Sequence, residues 1–211
     1  MCAVSAEVRA PLEPLERPFF DRSTEDVARD LLGVWLLRST SNGLSGGPIV
    51  ETEAYGGPED GASHARAGRT RRTTPMFGEV GHAYVYLVYG MHECLNVVAY
   101  NGREAGAVLI RAISPEVGVD LIRSRRGRPA DPNWKLCSGP ARLSDGLGVD
   151  RSFDSHDLTL GEGLWLAAPS RGVTSMDQIK TGSRIGVAYS GDWAERPWRF
   201  WLAGHPSVSR R

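Results

Sequence analysis

Pro48-Ile-Val-Glu-Thr-Glu-Ala-Tyr55 decides the fold, because it alternates as a strand does while carrying two carboxylates amid Ile49, Val50 and Ala54. Strand side chains repeat every two residues, so Ile49, Glu51, Glu53 and Tyr55 are expected on one face. Working outward, Val34 to Arg38 is the preceding strand, with Ser41-Asn42-Gly43 and the Gly46-Gly47 pair marking an antiparallel turn. Gly56 to Gly78 is rich in glycine, proline, arginine and threonine; a loop that long in a compact domain usually carries function or is disordered. Val80 to Met91 returns to strand chemistry, with His82, Tyr84 and Tyr86 on one face and Val85, Leu87 and Tyr89 on the other. Cys94 to Tyr100 pairs with it as a hairpin whose tip is Gly90 to Glu93, and after the Asn101-Gly102 turn Gly106 to Ile113 is a further strand.

Helices punctuate this pattern. Ser23 or Thr24 caps one that carries Glu25 and Asp26 in its first turn, lines one face with Val27, Leu31 and Leu32, and ends near Gly33. Ser114-Pro115-Glu116 opens another that runs to about Arg125 and stops at Gly127, and Ser138-Gly139-Pro140 leads into a third over Ala141 to Leu147. Leu158 to Ala167 reads as a hairpin around Gly161-Glu162-Gly163, Arg184 to Tyr189 as a strand, and the aromatic run Trp193 to Trp201 as packing on the core. Many strands, few helices and short connections imply an α+β protein: a central antiparallel or mixed curved sheet with flanking helices and a protruding β-hairpin. Residues 1–17 are expected to be a loosely ordered N-terminal arm and residues 18–211 a single domain.

A chain of 211 residues, 41% apolar, suits that organisation. It has no 18-residue apolar run and no secretion-signal pattern, so a soluble cytoplasmic protein without a membrane span is expected. Cys2, Cys94 and Cys137 are too scattered for a disulfide framework, and no C-x-x-C pair or histidine cluster has zinc-site spacing; free thiols, no metal and no cofactor follow. The net charge is zero but unevenly spread: residues 1–60 hold 5 basic and 11 acidic side chains, and residues 61–142 hold 12 and 6. Such asymmetry points to nucleic-acid contact, since the field at a binding face matters more than the total.

The chemistry concentrates between Ile49 and Ile113. Carboxylates on an apolar strand are costly unless paired or used, so Glu51 and Glu53 either pair with arginines such as Arg111 or supply a general base. Tyr55 and His64 are either half-buried core aromatics or site residues. Tyr84, Tyr86 and Tyr89 are either sheet stabilisers or, beside the loop bearing Arg66, Arg69, Arg71 and Arg72, stacking faces for bases. A tip reading Tyr-Gly-Met-His either folds back or acts as a wedge that unstacks base steps.

Several motifs together resemble the alkyladenine (3-methyladenine) DNA glycosylases. These are E-T-E-A-Y at Glu51 to Tyr55, G-P-E-D at Gly57 to Asp60 with His64, and Y-V-Y-x-x-Y-G-M at Tyr84 to Met91. Asn96, V-L-I-R-A at Val108 to Ala112, L-C-S-G-P at Leu136 to Pro140 and R-I-G-V-A-Y at Arg184 to Tyr189 complete the set. The likeness runs from about Phe19 to near Ser207, in the family's order and close to its spacing.

That resemblance implies a monofunctional glycosylase of base excision repair that flips alkylated purines, such as 3-methyladenine and 7-methylguanine, out of double-stranded DNA. Glu53 matches the general base that activates water as the nucleophile, and Arg111 the arginine that positions it. Tyr55, His64 and Tyr86 match the walls that stack the base, and Asn96 the residue that disfavours guanine. Tyr89 matches the side chain that fills the gap in the duplex, with Tyr84 and Met91 in the same motif, and Arg69 a phosphate contact. The two lysines, Lys135 and Lys180, lie outside this segment, so no Schiff base and no lyase activity are expected. The resemblance further implies a monomer associated with the bacterial nucleoid, and a fold similar to the C-terminal domain of methionyl-tRNA formyltransferases. An RNA-binding module of that type without catalysis, and a glycosylase for another lesion, are the competing readings.

Overall fold

A computed structural model describes residues 13–102, 104–168 and 178–209. Residues 1–12 of the N-terminal arm, with Cys2, lie outside the described residues. Within the rest of that arm, Leu15 donates its main-chain N–H to Leu166, and Arg17 pairs with Asp157 at 2.5 Å.

The protein is α+β, and of the two alternatives for the sheet the antiparallel one is observed. Strands β1 (Trp35–Thr40), β2 (Gly43–Tyr55), β3 (Ala83–Val88), β4 (His92–Val98), β5 (Ala107–Ile113) and β6 (Leu164–Ala167) lie in the order β3-β4-β5-β2-β1-β6. Two more, β7 (Ile179–Gly182) and β8 (Arg199–Leu202), pair with each other, and β8 also pairs with β2. Helix α1 (Thr24–Asp30) starts where Ser23 Oγ accepts the Asp26 N–H at 3.1 Å, with Glu25 and Asp26 at the positive end of its dipole. Helices α2 (Val119–Arg126), α3 (Asn133–Leu136) and α4 (Pro140–Leu147) follow β5.

Strand β2 organises the sheet. Its first half, Gly43 to Pro48, pairs with β1; from Ile49 onward it pairs with β5, and Glu51 to Glu53 also pair with β8. Alternation then sorts the side chains. Ala54, Val85, Leu95, Val97, Val108 and Ile110 pack with α1, α2 and α4 in the main core, while Glu53, Tyr55, Tyr84, Tyr86, Asn96 and Arg111 alternate with them on the same strands.

The structure corrects several expectations. Ile49 packs in the main core with Ala54, while Val50 joins Ala112 and Val208, because register shifts between Ile49 and Thr52 change the parity of β2. Gly46-Gly47 is not a turn but lies inside β2. A Cβ on Gly46 would stand 2.1 Å from the Leu36 carbonyl oxygen, and one on Gly47 1.8 Å from that of Ser114, so both glycines admit neighbouring backbone. Ser114 to Val117 does not begin a helix, since its amides bond Pro48 and Gly46; α2 starts only after Gly118, in the left-handed region at φ 59°. Leu158 to Ala167 is not a hairpin, because β6 pairs with β1 instead. Arg184 to Tyr189 is not a strand, and the Ile185 amide is used at the site described below. The β3–β4 tip is Tyr89-Gly90-Met91 rather than Gly90 to Glu93, since Val88 already faces His92.

Replacing Gly47 with alanine forces backbone apart at the β2 crossing, and we expect a loss of about 3 kcal/mol or more in urea-induced unfolding. Wild-type stability would mean that the Ser114 segment is not held against β2.

Candidate active site

Register brings the polar residues together. Tyr84 faces Asn96, Asn96 faces Leu109, Leu109 faces Glu53, and Glu53 faces Arg199, so one row runs across β3, β4, β5, β2 and β8. Glu53 is fully covered (0% exposed) and is met by three donors. The Ile185 main-chain N–H reaches its Oε1 at 2.7 Å, while the Tyr55 hydroxyl at 2.8 Å and Arg111 Nη1 at 3.1 Å reach Oε2. Burial pushes this carboxyl upward against the opposing pull of Arg111 and the two hydrogen bonds. A carboxylate offers about four lone-pair positions, so one on Oε1 can still accept a proton donor.

Glu51, equally buried, differs. Burial alone would raise it, but Arg111, Ser209 and Arg199 hold it below the usual carboxylate range. The sequence left open whether either carboxylate was paired or poised; the structure holds Glu51 with four donors that favour its charged form, while Glu53, with three, is pushed upward by burial.

Above Glu53 lies a cavity of about 360 Å³, within the range of small-molecule sites. Tyr55, His64, Tyr84, Tyr86, Asn96 and Arg111 line it. Glu53 stands directly behind that wall, since its partners Tyr55, Arg111 and Ile185 all face the cavity. His64 and Tyr86 meet edge to face with ring centroids 4.5 Å apart, and Tyr84 lies 5.2 Å from Tyr86. His64 Nδ1 and the Tyr84 hydroxyl share a hydrogen bond of 2.9 Å. Burial, with Arg72 nearby, lowers the His64 imidazole to about 4, and burial pushes the Tyr84 phenol up to about 12 and the Tyr86 phenol higher still. At neutral pH these rings are therefore uncharged, and the charge in the lining comes from Arg72 and Arg111. The Asn96 amide donates to the Tyr84 carbonyl at 3.0 Å, fixing its orientation in the cavity.

The hairpin tip is open to solvent: Tyr89 is 89% exposed and Met91 70%. Tyr89 also takes φ 52°, a left-handed conformation that costs a non-glycine residue about 1–3 kcal/mol and is concentrated at functional positions. Arg69 and Met91 are not brought to the cavity. Arg69 donates to the Phe77 carbonyl at 3.1 Å and lies 5.4 Å from that ring, beside Arg66.

Sequence reasoning named Arg72 only as one arginine of the basic loop and gave no role to two further groups. Arg72 lies 5.3 Å over Tyr86 and lines the cavity. Arg184 is clamped between Tyr55 at 4.9 Å and Trp198 at 5.0 Å, and its guanidinium pairs with Asp60 at 2.6 and 2.9 Å. The Ile185 amide reaches Glu53 because the segment is not extended in a sheet. Both belong to motifs noted above, but a main-chain donor leaves no mark in side-chain chemistry.

A buried carboxylate behind an aromatic-lined cavity fits the class of enzymes that take up a planar ring. Comparison with known proteins narrows it, for the profile of the methylpurine-DNA glycosylase family matches residues 18–206. A Streptomyces avermitilis protein named for 3-methyladenine DNA glycosylase activity is 46% identical over 196 residues, 93% of this chain and 91% of its own. A Rubrobacter xylanophilus protein named likewise is 50% identical over 177 residues, 83% of this chain and 86% of its own. The mouse DNA-3-methyladenine glycosylase is 42% identical over 202 residues, 90% of this chain and 60% of its own. The chain belongs to the methylpurine-DNA glycosylase family, DNA-repair enzymes that hydrolyse N-glycosyl bonds.

The His64 imidazole should titrate by NMR near pH 4 rather than near its ordinary 6.5. Arg72→Gln should raise that midpoint only slightly, because burial is the larger cause. The unfolded chain takes the proton first, so the stability linked to His64 is complete above pH 6.5 and is lost as pH falls toward 4. A midpoint near 6.5 would put the ring in solvent.

Proposed function

We propose that this protein turns alkylated purines, 3-methyladenine and 7-methylguanine among them, out of double-stranded DNA and releases them by hydrolysis. The observation that carries this reading is Glu53: buried, raised in basicity, and with one Oε1 position still able to accept, directly behind an aromatic cavity. A water bonded there attacks C1′ of the deoxyribose; its proton passes to Glu53 and its hydroxyl stays on the sugar. The bond pair leaves with the ring, and because alkylation at N3 or N7 has made that ring cationic, it departs neutral without an acid. Arg111 positions the water and steadies Glu53.

Tyr55 faces His64 and Tyr86 across the extruded base, and Asn96 crowds the exocyclic amine of normal guanine. Tyr89, with Met91 beside it, fills the gap in the duplex, Tyr84 contributes from the cavity wall farther back along β3, and Arg69 contacts phosphate. A damaged base stacks and pairs less well, so it costs less to extrude. In this reading one domain, residues 18–211, does the work as a monomer on the DNA of a bacterial cytoplasm, on a curved sheet like that of formyltransferase C-terminal domains. Water is the only co-reactant, and no lysine forms a Schiff base.

Glu53→Gln should slow release of free base from methylated duplex DNA by about a hundredfold or more while retaining lesion binding. Wild type and variant equally inert, with tight RNA binding, would favour a non-catalytic binding module. Tyr89→Ser should weaken binding to a lesion duplex about tenfold, and binding to single strands less, because only the duplex has a gap to fill. Equal losses on both would count against a wedge.

A further inference from the structure

Glu51 precedes Glu53 by two residues on β2, and its environment suits a different task. Its Oε1 accepts from Arg111 Nε at 2.8 Å, Arg199 Nε at 2.8 Å and Ser209 Oγ at 3.0 Å, and its Oε2 accepts the Ser209 main-chain N–H at 2.6 Å. Four donors converge on this carboxylate, three on Oε1 and one on Oε2, so Glu51 is held as the anchor of a hydrogen-bonded ion-pair cluster.

Arg111 is the shared member of the group. Its Nε goes to Glu51, its Nη1 lies 3.1 Å from Glu53 Oε2, and its Nη2 reaches Ser209 Oγ at 3.4 Å. A guanidinium is a rigid planar fork, so it cannot turn toward one of these partners without leaving another. The segment that supplies Ser209 is itself anchored: Val208 packs with Val50 and Ala112, and Ser207 is buried.

We infer that Glu51 is the positioning residue that holds Arg111 against Glu53, and that Ser209 is the clasp that fixes Glu51. This rests on reading Glu53 as the base. Among the described residues the group contains two carboxylates and two guanidiniums, which balance. The charged and titratable groups facing Glu53 are Arg111 from β5, Tyr55 and Glu51 from β2, Tyr86 from β3 and Cys94 from β4; Arg199 from β8 meets Glu51. Neutralising Glu51 leaves the charge of Arg111 to act on Glu53 alone. The Glu53 carboxylate is then favoured, protonates at lower pH and is a weaker base.

The test is single-turnover release of 7-methylguanine from methylated duplex DNA, followed against pH, with lesion-duplex affinity measured alongside. For Glu51→Gln we expect the acid limb to move down by about one pH unit and the plateau to fall about tenfold, with affinity unchanged. Ser209→Ala, which keeps every charge and the main-chain donor, should lower the plateau about threefold without moving the limb. Glu51→Asp should restore the position of the limb, because it restores the charge. A wild-type plateau or an unmoved limb in Glu51→Gln would overturn the inference. Should that variant fail to fold by circular dichroism, a wild-type plateau in Ser209→Ala would overturn it. Failure of the underlying reading is separate: Glu53→Gln would then still release base.

Discussion

One guanidinium shared between two buried carboxylates is the constraint on which this structure turns. Glu51 and Glu53 lie on the same strand with no exposed surface, and Arg111 reaches both from β5. Removing such charges from water costs several kcal/mol each unless geometry and hydrogen bonds compensate, and packed apolar side chains in place of such a group are often as stabilising or more so. That β2, β5 and β8 instead hold a charge cluster means that fold stability is not what the arrangement maximises. It also explains the long β2: only a strand paired on both edges over the same residues brings Arg111 and Arg199 to one carboxylate.

The irregular parts answer to the same constraint. Arg184, through Asp60, ties the turn after β2 to the segment after β7, since Asp60 also accepts the Gly56 and Ala62 amides at 2.9 Å each. With that segment anchored, the next residue, Ile185, presents its N–H to Glu53. An apolar residue thus contributes to the site through its backbone, and Arg184 serves twice, as an anchor and as backing for the Tyr55 ring.

Much of this was legible in the sequence where periodicity applied, and little where it did not. Alternation placed Glu51, Glu53 and Tyr55 together, and Tyr84 with Tyr86, because a period of two survives in any strand paired along its length. It failed for Ile49, since a bulge changes parity and has no composition of its own. The Gly46-Gly47 pair resembled a turn because glycine serves turns and close backbone approach alike, and only the position of Ser114 separates the two. Ser114-Pro115-Glu116 has the chemistry of a helix start, but its amides were taken by β2, a tertiary demand that local propensity does not contain. Arg184 and Ile185 read as the start of a strand and as part of a family motif, and pairing with Asp60, more than a hundred residues earlier, decided their conformation.

The electrostatics of the cavity bear on how a cationic purine is chosen. An aromatic face attracts a cation through its quadrupole, but a guanidinium on the other face draws on the same electrons. Here Arg184 backs Tyr55 and Arg72 lies over Tyr86, so both tyrosines already have a positive partner. His64 adds no charge, because burial keeps it neutral far below physiological pH. The walls therefore offer shape and stacking more than a preference for positive rings. On the proposed reading, discrimination for alkylated purines then comes from the weakened glycosidic bond and the cheaper extrusion of the lesion, while the protein's own contribution is concentrated in the basicity of one carboxylate.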